Sequence, residues 1–263
     1  MKRISLLLKY IIFRLQAGNA HSIHSPFLFE LYTAAIAPKQ KTYHYCYKKN
    51  EALRQSLLKS KITIKAKDYG AGSLMVEGND RKLKDIARTS LKSAHLSQLL
   101  FRLINYSKPK VIIDLGTSLG ITTLYLASVS KKSKVYSFEG CPETAGIALS
   151  NFEKVGASNL ELTIGNLDDT LALKLSKINN IDFVFFDANH RKEPTLRYFN
   201  LCLSKAHEGS LFVFDDIHWS HEMQDAWEEI KANPKVLMTV DLFFLGLVFF
   251  RTNQPKQHFK LRV

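Results

Sequence analysis

Three carboxylates, Asp187 and the adjacent pair Asp215-Asp216, stand at the ends of two apolar runs, Phe183-Val184-Phe185-Phe186 and Leu211-Phe212-Val213-Phe214. Carboxylates gathered at one place repel one another unless protons or a cation intervene. A hard divalent ion relieves that repulsion, and Mg²⁺ suits a site with few protein ligands and additional oxygens from a substrate. Asp187, Asp215 and Asp216 are therefore candidate metal ligands. His190 follows Asp187 by three positions. Imidazole changes charge near neutral pH, so His190 is the candidate base, or else a residue that hydrogen-bonds its own loop. His218 is the second candidate, and Trp219 beside it could wall a pocket.

A second constellation lies upstream, in Val111-Ile112-Ile113-Asp114-Leu115-Gly116-Thr117-Ser118-Leu119-Gly120. An apolar, β-branched run reads as a strand buried on both faces. The two glycines bracket a tight turn that feeds a helix, which gathers backbone N–H groups and a positive helix end at one spot. A dinucleotide fingerprint requires glycine at the first, third and sixth positions. Gly116, Ser118 and Ile121 occupy them here, so that fingerprint is absent.

Elements that would position these residues follow from the alternation beyond Ser93. Strands are expected over Lys110–Leu115, Lys134–Glu139, Leu160–Ile164, Ile181–Asp187 and Ser210–Asp215, with helices between them. The tail Val236–Asp241 and Leu245–Arg251 reads as an antiparallel pair at one edge. Alternating strands and helices require a mostly parallel sheet covered on both faces. The expectation is an α/β, Rossmann-like, doubly wound, seven-stranded sheet with an antiparallel edge strand and a helical N-terminal extension. Ligands of such sheets lie beyond the carboxyl ends of the strands, where strand order reverses.

Asp114-Leu-Gly-Thr-Ser-Leu-Gly120, followed by Glu139, Gly165-Asn166, Asp187 and Asp215-Asp216, resembles the motif series of class I S-adenosylmethionine (SAM) methyltransferases. The x-G-T-x-x-G form is similar to that of the cation-dependent O-methyltransferases, the group that includes catechol O-methyltransferase. The resemblance spans residues 93–251. It implies SAM contacts from Asp114, Gly116, Thr117, Ser118, Gly120, Glu139, Gly165, Asn166 and Asp187, with Glu139 on the ribose and Asn166 on the adenine side. It also implies a divalent ion held jointly after the fourth and fifth strands, where this chain has Asp215-Asp216 in place of Asp-Asn. The lysine that commonly serves those enzymes as base is replaced by His190, which with Asp187 forms the expected catalytic pair.

Residues 1–92 hold 18 Lys and Arg against 6 Asp and Glu, so nearly all of the net charge of +13 resides there. Such a region could contact an anionic partner or simply present a solvated surface. Met1–Leu15 begins like a secretion signal, but Lys9 and Arg14 interrupt the apolar run. It reads as a basic amphipathic helix, packed on this or a partner subunit or lying on a membrane surface. Tyr43-His44-Tyr45-Cys46-Tyr47 could line a pocket or cover the core edge, and Asp68–Ser73 has turn composition. Three cysteines without paired spacing suit reduced thiols in a cytoplasmic protein.

The expected organisation is thus a basic, mainly helical region, 1–92, for the acceptor side or an oligomer contact, followed by a SAM-binding methyltransferase domain, 93–263. The expected reaction is O-methylation of a small-molecule hydroxyl, with a homodimer as a possible assembly. The competing readings are methylation of nucleic acid through the basic region, and a SAM-binding module without catalysis. Asp187-Ala-Asn-His lacks the Pro-Pro-Tyr-type turn of base amino-group methylases, which weighs against a nucleic acid.

Overall fold

The computed structural model describes residues 2–40, 42, 44–66 and 80–263. The turn expected at Asp68–Ser73 and Tyr43 of the aromatic cluster lie outside them.

The N-terminal third is helical. It comprises α1 (Lys2–Gln16), α2 (Pro26–Leu31), α3 (Tyr45–Leu58), a two-stranded antiparallel ribbon of β1 (Thr63–Lys65) and β2 (Asp80–Lys82), and α4 (Leu83–Ser90). Pro26 opens α2 in the first turn, where its missing N–H costs nothing, and Ser25 Oγ accepts from the Leu28 N–H at 3.4 Å. A single π turn, Tyr32–Ile36, prolongs that helix. Next comes α5 (Ala94–Ser107), capped by Ser93. On α1, Tyr10 and Phe13 pack on Phe243 at 4.9 and 5.4 Å, while Leu7, Leu8, Ile11, Ile12 and Leu15 are exposed. Among the described residues no helix is long and apolar enough to cross a membrane.

The sheet begins with β3 (Val111–Leu115), followed by α6 (Ile121–Ala127), β4 (Lys134–Glu139), α7 (Pro142–Val155), β5 (Leu160–Ile164) and α8 (Leu167–Leu175). It continues with β6 (Ile181–Phe186), α9 (Lys192–Leu203), β7 (Ala206–Asp215), α10 (His221–Ala232), β8 (Met238–Asp241), β9 (Leu245–Phe249) and β10 (Gln257–Lys260). The eight strands lie in the order β10-β8-β9-β7-β6-β3-β4-β5. The run from β7 to β5 is parallel throughout, and β9 is antiparallel to both its neighbours. Strand order reverses at β3, which pairs with β4 on one side and β6 on the other.

This corrects the expected edge. The strand pair at the tail is not the border, because β10 adds in parallel to β8 and makes an eighth strand. An outer β8 would leave a row of backbone donors and acceptors unpaired, and the last few residues fill it. Four residues are too few to display a period in the sequence.

The apolar runs are divided by the pleat. Ile112, Phe183, Phe185 and Val213 face a core shared with Leu28, Leu31, Ile36, Leu99 and Leu103, so α2 and α5 cover that side. Ile113, Val184, Phe186, Phe212 and Phe214 face α8, α9 and α10. The rings of Phe186 and Phe214 stack at 4.2 Å just below the strand tips that carry Asp187 and Asp215. The carboxylates therefore rest on a rigid aromatic floor. Cys46 and Tyr47 are buried in a third core with Phe101 and Tyr125, so these two members of the aromatic cluster pack into core.

Candidate active site

Beyond the tips of β3, β4 and β6 lies a cavity of about 470 Å³. The size suits a small-molecule ligand, and the position is the switch point of the sheet.

One end is built by the turn after β3. Gly116 has φ +107°, and a Cβ there would stand 2.2 Å from the Asp187 carbonyl oxygen. Only glycine lets the turn lie against the end of β6, where the Asp187 N–H donates to the Leu115 carbonyl at 2.9 Å. The N–H groups of Gly116 and Thr117 donate to the Phe138 carbonyl at 3.2 and 2.9 Å, so they are consumed inside the fold. The Ser118 N–H donates to Glu139 Oε2 at 2.8 Å, and the Cys141 N–H donates to Oε1 at 2.9 Å. Two backbone donors thus fix the Glu139 carboxylate at the cavity wall.

Gly116, Ser118, Glu139, Asn166 and Asp187 line the cavity, as expected of ligand contacts. Asn166 also caps α8, its Oδ1 accepting from the Asp168 N–H at 3.2 Å. Four expected contacts are placed elsewhere. Asp114 is fully buried beneath the turn, where Oδ2 accepts from Thr123 Oγ1 at 2.6 Å and Ser137 Oγ at 2.7 Å. Burial pushes its carboxyl up to about 6, against the pull of those two hydroxyls. Thr117 is buried with its hydroxyl 2.5 Å from Ser137 Oγ. Gly120 faces Phe152, and Gly165 faces Thr170. These four shape the floor of the turns rather than the cavity wall.

At the other end the expected acids do converge. Asp187, His190 and Asp215 place possible ligand atoms within 4.8 Å of one another. Asp216 lies outside this group of three but lines the cavity beside it, its backbone held at φ +53° by donation to the Phe244 carbonyl at 2.8 Å. His190 lines the cavity with Nε2 3.4 Å from Asp187 Oδ1. Asn189 and His190 are consecutive left-handed residues, at φ +68° and +47°. Such conformations cost roughly 1–2 kcal/mol each and persist where surrounding structure imposes them. Trp219 lines the cavity as expected. His218 does not, because Asp241 Oδ2 holds its Nε2 at 2.8 Å and Phe243 stacks on its ring at 5.0 Å.

The residue that sequence reasoning missed is Lys92, from the connection between α4 and α5. Its Nζ lies 3.1 Å from Asp187 Oδ1 and in contact with Asp215 Oδ2. Burial would lower the pKa of this ammonium, but Asp187, Asp215 and Asp216 outweigh it and raise it. Burial would likewise raise Asp187, yet Lys92 and His190 hold its carboxyl below the usual range. Burial, with Asp187 and Asp216 nearby, drives Asp215 well above that range despite Lys92. The cluster therefore favours the charged form of Asp187 through Lys92 and His190 and opposes that of Asp215 through burial. Arg54, also buried, donates to the Lys92 carbonyl, and Ser90 Oγ lies 2.8 Å from Ser118 Oγ. Part of the positive charge of the N-terminal region is thus turned inward, against the strand tips.

The sheet order, with its switch point at β3 and the cavity beyond it, defines a Rossmann-like, doubly wound α/β fold. Residues 113–217 match the family model described as "Methyltransferase domain". The chain is 26% identical over 114 residues to the O-methyltransferase imqG of Aspergillus flavus, a match covering 41% of this chain and 45% of that protein. It thus matches less than half the length of that curated relative. Among solved structures it is similar to the O-methyltransferase from Bacillus cereus in complex with SAH, with a TM-score of 0.56 at 17% identity over 84% of this chain and 97% of the other. It is also similar to the O-methyltransferase TomG of Streptomyces achromogenes, involved in tomaymycin synthesis and solved with SAM, with a TM-score of 0.54 at 20% identity over 62% and 82% of the two chains.

Proposed function

We propose that this chain is a SAM-dependent O-methyltransferase acting on a small-molecule hydroxyl. The observation that carries the proposal is one cavity with two chemically distinct ends: a carboxylate fixed by two backbone donors at Glu139, and an imidazole paired with an anion at His190 and Asp187. The residues suit the donor. The Gly116 and Thr117 N–H groups are spent on the Phe138 carbonyl, that of Ser118 on Glu139 and that of Gly120 on the Thr117 carbonyl, so these four are not offered to a phosphate, which suits a nucleoside that carries none.

When bound, SAM supplies an electrophilic methyl on a sulfonium. Glu139 would accept from the ribose hydroxyls, and Asn166 and Leu167, which line the same cavity, would border the adenine. Asp187 orients His190 through Nε2, leaving Nδ1 as the proton acceptor. His190 Nδ1 would take the proton of the acceptor hydroxyl, and Asp187 would stabilise the resulting imidazolium. The cavity walls would restrict how donor and acceptor sit relative to one another. Trp219 supplies an apolar wall for the acceptor. The three cysteines are free and buried, which agrees with a reducing, cytoplasmic setting.

Calorimetric titration with S-adenosylhomocysteine tests the donor half, and transfer of labelled methyl to a panel of small hydroxyl compounds tests the acceptor half. Folded protein that takes up no S-adenosylhomocysteine would end this reading.

A further inference from the structure

The acids at the strand tips have the composition of a divalent-cation site, yet the position between them is filled from within the chain. Lys92 Nζ contacts Asp187 and Asp215 simultaneously, its side chain 14% exposed and those of the two acids 10% and 1%. The Lys92 main chain is fixed independently, by the Arg54 guanidinium on its carbonyl, with Arg54 in turn bonded to Ser97 Oγ at 3.1 Å and to Glu51. Arg54 is buried and Glu51 is tied to the Tyr125 hydroxyl at 2.7 Å, so the lysine is delivered by a braced segment, not by a free surface side chain.

We propose that Lys92 is the resident cation of this site: its ammonium takes the place of a divalent ion, and the protein needs no metal. The inference rests on reading the cavity as a methyl-transfer site, but its geometry does not. An ammonium and a divalent ion cannot both sit between Asp187 and Asp215, since the ammonium already fills that position on Asp187 Oδ1 and Asp215 Oδ2. The two cations also differ in what they offer an acceptor. A hard ion with open coordination positions accepts two neighbouring substrate oxygens. An ammonium has three donors, of which Asp187 and Asp215 take two, and Lys92 lines the cavity. One N–H then remains for one acceptor oxygen, which favours an isolated hydroxyl over a vicinal pair.

Mn²⁺ is the probe, followed by electron paramagnetic resonance and by the thermal midpoint, with S-adenosylhomocysteine calorimetry run on each protein. The native chain should show no bound Mn²⁺ up to millimolar concentration and no shift in midpoint. Lys92→Ala, which leaves Asp187, Asp215 and Asp216 facing a vacated space, should bind about one Mn²⁺ and gain several degrees from it. Lys92→Met, which fills the space without charge, should bind none. Stoichiometric Mn²⁺ on the native chain overturns the proposal even if no variant folds, and so does a folded Lys92→Ala that ignores Mn²⁺. Loss of S-adenosylhomocysteine binding by the native chain would count against the methyl-transfer reading instead, leaving the Mn²⁺ result to decide the present one.

Discussion

Arg54 holds Lys92 by the backbone: a guanidinium N–H donates to the Lys92 carbonyl, while the Lys92 side chain points to Asp187 and Asp215. One cation thereby aims another. Replacing Arg54 with Met takes the donor from the Lys92 carbonyl and the guanidinium from the Glu51 carboxylate, which keeps the Tyr125 hydroxyl. Removing one partner of such a buried pair costs about 3 kcal/mol, to be seen as a lower thermal midpoint. Methyl transfer should fall by roughly tenfold or more, since small displacements of aligned groups are costly. S-adenosylhomocysteine affinity should change little, because Arg54 does not line the cavity.

Glu139 should govern donor affinity. Glu139→Ala removes the acceptor for the Ser118 and Cys141 N–H groups as well as the proposed ribose contact. Hydrogen bonds to a charged group contribute about 1.5–3 kcal/mol, so the dissociation constant for S-adenosylhomocysteine should rise by about 10- to 100-fold in calorimetry. Glu139→Gln, which keeps one carbonyl acceptor, should fall between.

His190→Ala should separate binding from chemistry. A positioned acid–base group contributes about 10²- to 10⁴-fold. The rate of methyl transfer should drop by that amount while S-adenosylhomocysteine binds nearly as before. Unchanged turnover would remove His190 from the mechanism.

Gly116→Ala meets both a left-handed backbone and the Asp187 carbonyl oxygen at 2.2 Å. The turn must move away from β6. Strain and lost contacts of this kind cost roughly 2 kcal/mol or more, and calorimetric melting should show a midpoint lower by several degrees together with weaker S-adenosylhomocysteine binding.

Asp114 gives a pH signature. Burial raises its carboxyl to about 6 from an ordinary value of 3.8. The folded state therefore holds a proton that the unfolded chain releases between these values, and it bears the cost of a buried charge above about pH 6. Asp114 should stabilise the fold increasingly as pH falls from 7 towards 4, by up to about 3 kcal/mol. Asp114→Asn removes this dependence, so the midpoint of the native chain minus that of the variant should grow on acidification across that window.

Much of the cavity was legible in the sequence because its residues sit immediately after apolar strands, and the parallel sheet delivers such positions to one edge. Asp187, His190, Glu139 and Asp215 all announced themselves in that way. Asp114 did not reveal that it looks inward, because strand-end position alone does not say which side of the turn a carboxylate serves; Thr123 and Ser137 decide it, and they lie on other elements. His218 was adjacent to the acids in sequence, yet Asp241, 23 residues later, draws it aside. Lys92 was hidden most completely. It follows a helix rather than a strand and stands in a region crowded with lysines, and only tertiary packing distinguishes the one that faces inward.

The contribution of Lys92 also bears on where the chain can be divided. Trimming it at Ser93 would keep every strand of the large sheet and both catalytic candidates. The fragment would nevertheless strand Asp187 and Asp215 side by side in a nonpolar floor without a counter-charge, and would sever Ser90 from Ser118. Trimmed protein of that kind should be a poor guide to its parent: acid-loving in its stability, thirsty for added divalent ions, and altered at the acceptor end while its nucleoside end survives.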